Sequence, residues 1–115
     1  MTINSIRRIK FLSSLINASN YLEVGVATGK VFNNLTFSGT KVAVDPVFQF
    51  DTDQFSNSQS IFFDCSSDDY VDQFAKDIEF DIVFLDGLHT YDQTFVDLCN
   101  VLNLCKNNAF IIIDD

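Results

Sequence analysis

Acidic residues recur where the apolar runs of this chain stop. Asp45 closes Lys41-Val42-Ala43-Val44, Asp64 closes Ile61-Phe62-Phe63, Asp86 follows Phe80 to Leu85, and Asp114 and Asp115 follow Ala109 to Ile113. Another apolar run, Tyr21 to Val26, overlaps the glycine-bearing stretch Glu23-Val24-Gly25-Val26-Ala27-Thr28-Gly29, where missing side chains let a ligand approach the backbone. Asp45 falls 20 positions after Gly25, the interval at which a carboxylate on the next strand can accept both hydroxyl protons of a ribose. Asp64 repeats the pattern, and together these acids favour a nucleoside ligand. Each feature also has a purely structural explanation: the glycines turn the chain, and a strand-end Asp is solvated.

Two better-known phosphate motifs are excluded. Gly25 to Lys30 is one residue too short for a P-loop, and Val31 stands where Ser or Thr is needed. A dinucleotide fingerprint starting at Gly25 would need glycine at positions 27 and 30, which hold Ala27 and Lys30.

The elements that must position these residues alternate between helix and strand. Ile6, Ile9, Leu12, Leu15 and Ile16 recur at helical intervals and predict an amphipathic helix over Asn4 to Ile16. A polar connector, Asn17 to Asn20, leads to a strand over Tyr21 to Val26, and a short helix is expected from Gly29 to about Leu35. Lys41 to Asp45 is a second strand, stopped by Pro46, because the residue before proline is pushed out of helical geometry. Val47 to Ser60 reads as loop, tacked down by Phe48, Phe50 and Phe55. Ile61 to Asp64 is a third strand. Ser66 or Ser67 then caps a helix that buries Val71, Phe74, Ala75 and Ile78. Phe80 to Leu85 is the fourth strand, Thr90 with Gln93 fits a capping box for a helix burying Phe95, Leu98, Cys99 and Leu102, and Ala109 to Ile113 is the fifth strand. Apolar strands separated by helices call for an α/β doubly wound parallel sheet, whose ligands bind beyond the carboxyl ends of the strands.

Composition narrows the partners. The 115 residues make one domain, and 47% hydrophobic residues with 13 Phe, one Pro and four Gly exclude wholesale disorder. A net charge of -9 repels phosphate backbones and anionic lipid, so neither nucleic acid nor membrane is an expected partner. Arg7, Arg8 and Lys10 precede a short apolar stretch broken by Ser13 and Ser14, which is too polar for a secretory signal. Cys65, Cys99 and Cys105 form no CxxC and are odd in number, which points to a reducing compartment, the cytoplasm.

In order along the chain, YLEVGVATG, VAVDP, FFDCSS, FDIVFLDGLHTY and AFIIIDD resemble the class I S-adenosylmethionine-dependent methyltransferases, in particular the branch with Asp-Gly-x-His-[Ser/Thr]-Tyr after the fourth strand. The resemblance spans nearly the whole chain. It implies a Rossmann-like sheet of order 3-2-1-4-5, and S-adenosylmethionine held at its methionine end by Glu23 and Gly25 in a turn that includes Ala27 and Gly29. Asp45 would take the ribose, and Asp64 with the Cys65 backbone the adenine; Asp86 also belongs to this set. Ala27 stands where the family more usually has glycine. Methyl transfer requires the acceptor to be aligned and its proton removed; His89, the only histidine, is the candidate base, with Asp86 beside it. Asp86, Asp114 and Asp115 match acids that bind Mg²⁺ in some relatives, and oxygen ligands suit that ion. The structural alternatives are an exposed loop histidine and solvated, capping carboxylates.

The family sheet has seven strands, and this sequence supplies five, as a fragment or a reduced domain. The leading expectation is O-methylation of a small hydroxylated acceptor such as a sugar. The competing expectations are a catalytically incomplete S-adenosylmethionine-binding or interaction module and, less well supported by the glycine pattern, a nicotinamide-dependent oxidoreductase. The uncharged Phe110 to Ile113 would form a sheet edge, which predicts a two-fold homodimer through this edge or the helix beside it.

Overall fold

Alternation along the central strands decides which layer most side chains join. In the computed structural model, which describes residues 2–75, 77–86 and 90–114, β1 (Tyr21–Val24), β2 (Lys41–Val44), β3 (Ser60–Phe63), β4 (Phe80–Leu85) and β5 (Cys105–Ile113) form one sheet in the order β3-β2-β1-β4-β5. Every pairing is parallel. Tyr21, Ala43, Ile82 and Phe84 face one side, where they pack with Ile9 of α1 (Thr2–Ile16) and with Phe32, Leu35 and Phe37. Leu22, Val24, Val42, Val44, Val83 and Leu85 face the other. That side is covered by α2 (Ser67–Asp69), by Tyr70 of the turn that continues it, and by Val101 of α3 (Tyr91–Leu102). Central strands apolar on both faces are what a parallel sheet between two helical layers needs. Full burial of side chains such as Phe80, Phe84 and Leu22 contributes roughly 1.5–3 kcal/mol each.

The phenylalanine-rich composition has a specific use. Phe48 and Phe50 from the long loop pack their edges on Phe62 at centroid distances of 5.6 and 5.8 Å, and Phe55 meets Phe50 at 5.6 Å. The loop is therefore fastened by the three residues expected to fasten it.

Several boundaries differ from the sequence reading. The first, second and third strands end at Val24, Val44 and Phe63, because the next residues turn toward the carboxyl-end loops. Instead of a helix over Gly29 to Leu35 there is a single 3₁₀ turn, Phe32–Asn34; the carbonyls of Phe32 and of the following Leu35 accept from the Lys41 ammonium at 2.7 and 2.8 Å. The helix after β3 winds for only three α residues before the wider turn Tyr70–Phe74, closed by Ala75 N–H donating to the Tyr70 carbonyl at 2.7 Å. Ser66 is its cap, accepting from Asp69 N–H.

The faces of α1 and α3 also need correction. Leu15 is 60% exposed, and α1 packs through Ile6, Ile9, Leu12 and Ile16. On α3, Phe95, Cys99 and Leu102 are exposed, while Leu98, Val101 and the polar Asp97 turn inward. Apolar periodicity alone chose the wrong stripe there because a buried hydrogen-bond network occupies the other. β5 begins four residues earlier than expected: Cys105 pairs with Phe80, and the register then shifts so that Phe110 pairs with Ile82. Lys106 within that irregular stretch reaches Asp81 at 3.2 Å.

Candidate functional site

β1 passes directly into the glycine turn, and the turn is built around Asp45. Oδ2 of Asp45 accepts from the N–H groups of Val26 and Ala27, each at 2.8 Å, and Oδ1 accepts from Val47 N–H at 2.9 Å. Gly25 N–H donates to the Val44 carbonyl at 2.9 Å, so the turn is also tied to the end of β2. Gly25, Ala27 and Gly29 all have positive φ, of 84°, 52° and 80°. For Ala27 this left-handed conformation costs about 1–2 kcal/mol, the local consequence of an alanine at the family's usual glycine. A Cβ on Gly29 would lie 2.5 Å from the Asn33 side chain and 2.7 Å from the Phe50 ring, so only glycine fits there.

Beyond the carboxyl ends of β1, β2, β3 and β4 lies a cleft of about 530 Å³ lined by Gly25, Ala27, Asp45, Val47, Cys65, Ser66, Ser67, Asp86, Gln93 and Asp97 among others. That volume lies within the roughly 300–1,000 Å³ typical of small-molecule sites. A hollow of about 570 Å³ elsewhere is bounded by the end of α1 and residues 34–38, away from the strand ends. The cleft is the better candidate, since ligands of open parallel sheets bind at strand carboxyl ends.

Of the residues singled out from the sequence, Gly25, Ala27, Asp45, Cys65 and Asp86 meet in this cleft. Gly29 is buried one step behind it, holding the turn through its N–H to the Val26 carbonyl. Glu23 is 1% exposed and is not part of the lining. Its Oε1 accepts from the Tyr21 hydroxyl at 2.6 Å, two residues back on the same face of β1. Burial pushes its pKa up to about 8; the Tyr21 hydrogen bond opposes that shift, and Asp86 and Asp45 add to it. Asp64 is exposed and outside the lining. Cys65 does line the cleft, and burial, followed by the nearby Asp69 and Asp64, pushes its thiol up. It is an uncharged lining group rather than a nucleophile.

Asp86 and Asp114 follow adjacent strands: Asp86 N–H donates to the Val24 carbonyl at 2.8 Å and Asp114 N–H to the Leu85 carbonyl at 3.0 Å. Asp115 and His89 lie outside the described residues. Among the described residues no three metal-ligating side chains cluster. The donor set for Mg²⁺ is thus not assembled by them, and no chemistry is assigned to that ion.

Sequence reasoning missed the far wall. Asp97, 3% exposed, accepts at Oδ1 from the Ser67 hydroxyl at 2.6 Å and from Gln93 Nε2 at 2.8 Å. Asn100 Nδ2 in turn donates to Ser67 Oγ and to Asp68 Oδ1, both at 2.9 Å. The available signal was Gln93, Asp97 and Asn100 at helical spacing on one face of α3. Thr90 does cap that helix, accepting from Gln93 N–H at 3.2 Å, but the Gln93 side chain reaches forward to Asp97.

A parallel sheet of order 3-2-1-4-5, with a glycine turn after β1 and a ligand-sized cleft across the switch in strand order, defines a Rossmann-like cofactor-binding domain. Residues 22–115 match the family model described as a methyltransferase domain. The chain belongs to this family, the class I S-adenosylmethionine-dependent methyltransferases. No curated protein sequence matches it significantly. Among solved structures it resembles a Staphylococcus aureus protein provisionally titled a caffeoyl-CoA O-methyltransferase, at 18% identity and a TM-score of 0.72 over 96% of this chain and 56% of that one. A Klebsiella pneumoniae protein, provisionally titled an O-methyltransferase, aligns at 16% identity and a TM-score of 0.74, covering 97% of this chain and 55% of that one. The N-methyltransferase NodS of Bradyrhizobium japonicum WM9 aligns at 15% identity and a TM-score of 0.62 over 98% and 70%. The chain therefore spans just over half the length of the first two.

Proposed function

We propose that this domain binds S-adenosylmethionine in the cleft beyond β1, β2, β3 and β4 and serves O-methylation of a small hydroxylated acceptor such as a sugar. The observation that carries the reading is the Asp45-centred turn, which sets a backbone cradle and a strand-end carboxylate on one wall of a cleft of about 530 Å³. Asp45 holds three backbone donors, and a carboxylate has about four lone-pair sites. Capacity for a ribose hydroxyl remains. When bound, the cofactor supplies a methyl group made electrophilic by its sulfonium.

The chain's own part is orientation and proton removal. Gly25 and Ala27 bring backbone to the methionine end, Cys65 to Ser67 border the base, and Asp86 stands at the end of β4. His89, three residues further along, is the group assigned to take the acceptor's proton, because histidine is the side chain most often used as a general base. The O-methyltransferase titles of two structures with TM-scores above 0.7 support oxygen as the methylated atom. Three free cysteines support a cytoplasmic setting, and no described helix is long and apolar enough to cross a membrane.

The test is incubation with S-adenosylmethionine labelled in its methyl group and a panel of sugars, catechols and amines. Label should appear on a hydroxyl, and His89→Ala should lower the rate by about 10²–10⁴-fold. Transfer to amines alone, or an unaffected His89→Ala, contradicts the assignment.

A further inference from the structure

Resting on the S-adenosylmethionine reading, we infer that Phe50, which is not part of the cleft lining, is a positioning residue for the cofactor. It braces the glycine turn in the left-handed conformation that Ala27 would otherwise leave. Two non-glycine residues among those described have positive φ, Asn17 at 51° and Ala27 at 52°. Asparagine tolerates that region and alanine does not. An alanine held there persists only where its surroundings over-determine it.

The surroundings that do so come from both sides of the turn. Ala27 N–H donates to Asp45 at 2.8 Å, and its carbonyl accepts from Gln49 N–H at 2.9 Å. Gly29, whose N–H closes the turn on the Val26 carbonyl at 3.0 Å, lies so near the Phe50 ring that a Cβ on it would be 2.7 Å away. Gln49 and Phe50 are adjacent, so the hydrogen bond and the ring contact arrive as one unit. That unit is fixed by the ring: Phe50 meets Phe62 of β3 at 5.8 Å, Phe48 at 5.7 Å and Phe55 at 5.6 Å. The ring therefore links the sheet to the turn.

A glycine at position 27 would need no brace, because it adopts positive φ freely. With alanine, loosening Phe50 lets the turn relax toward right-handed backbone and takes the Ala27 backbone away from the methionine end. The apparent affinity then falls by the fraction of molecules left competent to bind.

The experiment is isothermal titration with S-adenosylhomocysteine of four whole chains: wild type, Phe50→Ala, Ala27→Gly and the double variant. In the wild-type background Phe50→Ala should weaken binding about 10-fold, which at about 1.4 kcal/mol per decade is the left-handed penalty of one alanine. In the Ala27→Gly background the same change should weaken it by less than about threefold. Lost ring packing lowers the melting temperature in either background, so the dependence of affinity on residue 27 is the readout that a merely structural role would not move. An effect of Phe50→Ala below threefold in the wild-type background, or an equal loss in both, overturns the inference and leaves the cofactor reading intact; failure of wild type to bind overturns both. Should Phe50→Ala not fold, Phe50→Leu is measured in the same two backgrounds, where a larger loss beside Ala27 than beside glycine is expected and equal losses overturn the inference.

Discussion

Glu23 is a buried acid that lies behind the cleft rather than in its lining. The family resemblance implies the methionine end for it, and strand alternation puts it on the Tyr21 face, with the Tyr21 hydroxyl 2.6 Å away. With its folded pKa raised from 4.5 to about 8, the native state holds a proton that the unfolded state releases across that window. Stability contributed by this group is therefore full below pH 4.5 and declines as pH rises toward 8. Glu23→Gln keeps an acceptor for Tyr21 and cannot ionise. Urea unfolding at pH 5 and pH 8 should show the wild type losing more stability over that interval than the variant, by a few kcal/mol at most, at roughly 1.4 kcal/mol per unit of pKa shift. Parallel pH dependence in the two proteins would mean that Glu23 is ionised in the fold. The strand-end positions of Asp45 and Asp86 were legible because a residue following an apolar run must emerge at a sheet end. The three backbone bonds of Asp45 were not, since they depend on where the turn folds back.

At the scale of elements, the sheet was legible and the helices only in part. Strands are set by local apolar runs, whereas the facing of α3 depends on Ser67, about thirty residues earlier, which draws Asp97 inward. That rotation leaves Tyr91, Phe95, Cys99 and Leu102 as an exposed stripe, with Tyr91 and Phe95 stacked at 6.3 Å. It flanks β5, the sheet edge where Ile113 is 43% exposed. We propose that a second copy of the chain covers this edge and stripe, since the Phe110 to Ile113 stretch of the edge carries no charge to block pairing. Ile112 packs against the core, so a charge there would confound folding with association. Phe95 is 55% exposed. Phe95→Lys should leave the melting temperature nearly unchanged while shifting the protein from dimer to monomer in analytical ultracentrifugation at tens of micromolar. A wild-type protein already monomeric at that concentration would rule the dimer out.

For the molecule as a whole, the order 3-2-1-4-5 gathers the ends of four strands at one cleft, and the central claim is that this cleft holds the nucleoside of S-adenosylmethionine. The broken dinucleotide fingerprint and the Asp45-centred turn together predict which cofactor is chosen. The most direct measurement is isothermal titration of the wild type and Asp45→Ala with S-adenosylhomocysteine, with NAD as the competitor class. Wild type should bind S-adenosylhomocysteine and not NAD, and Asp45→Ala should lose about 1.5–3 kcal/mol, the range for hydrogen bonds to a charged group. Contradiction would come from a wild type that binds NAD in preference, that binds no S-adenosylhomocysteine at millimolar concentration, or whose affinity survives the loss of Asp45.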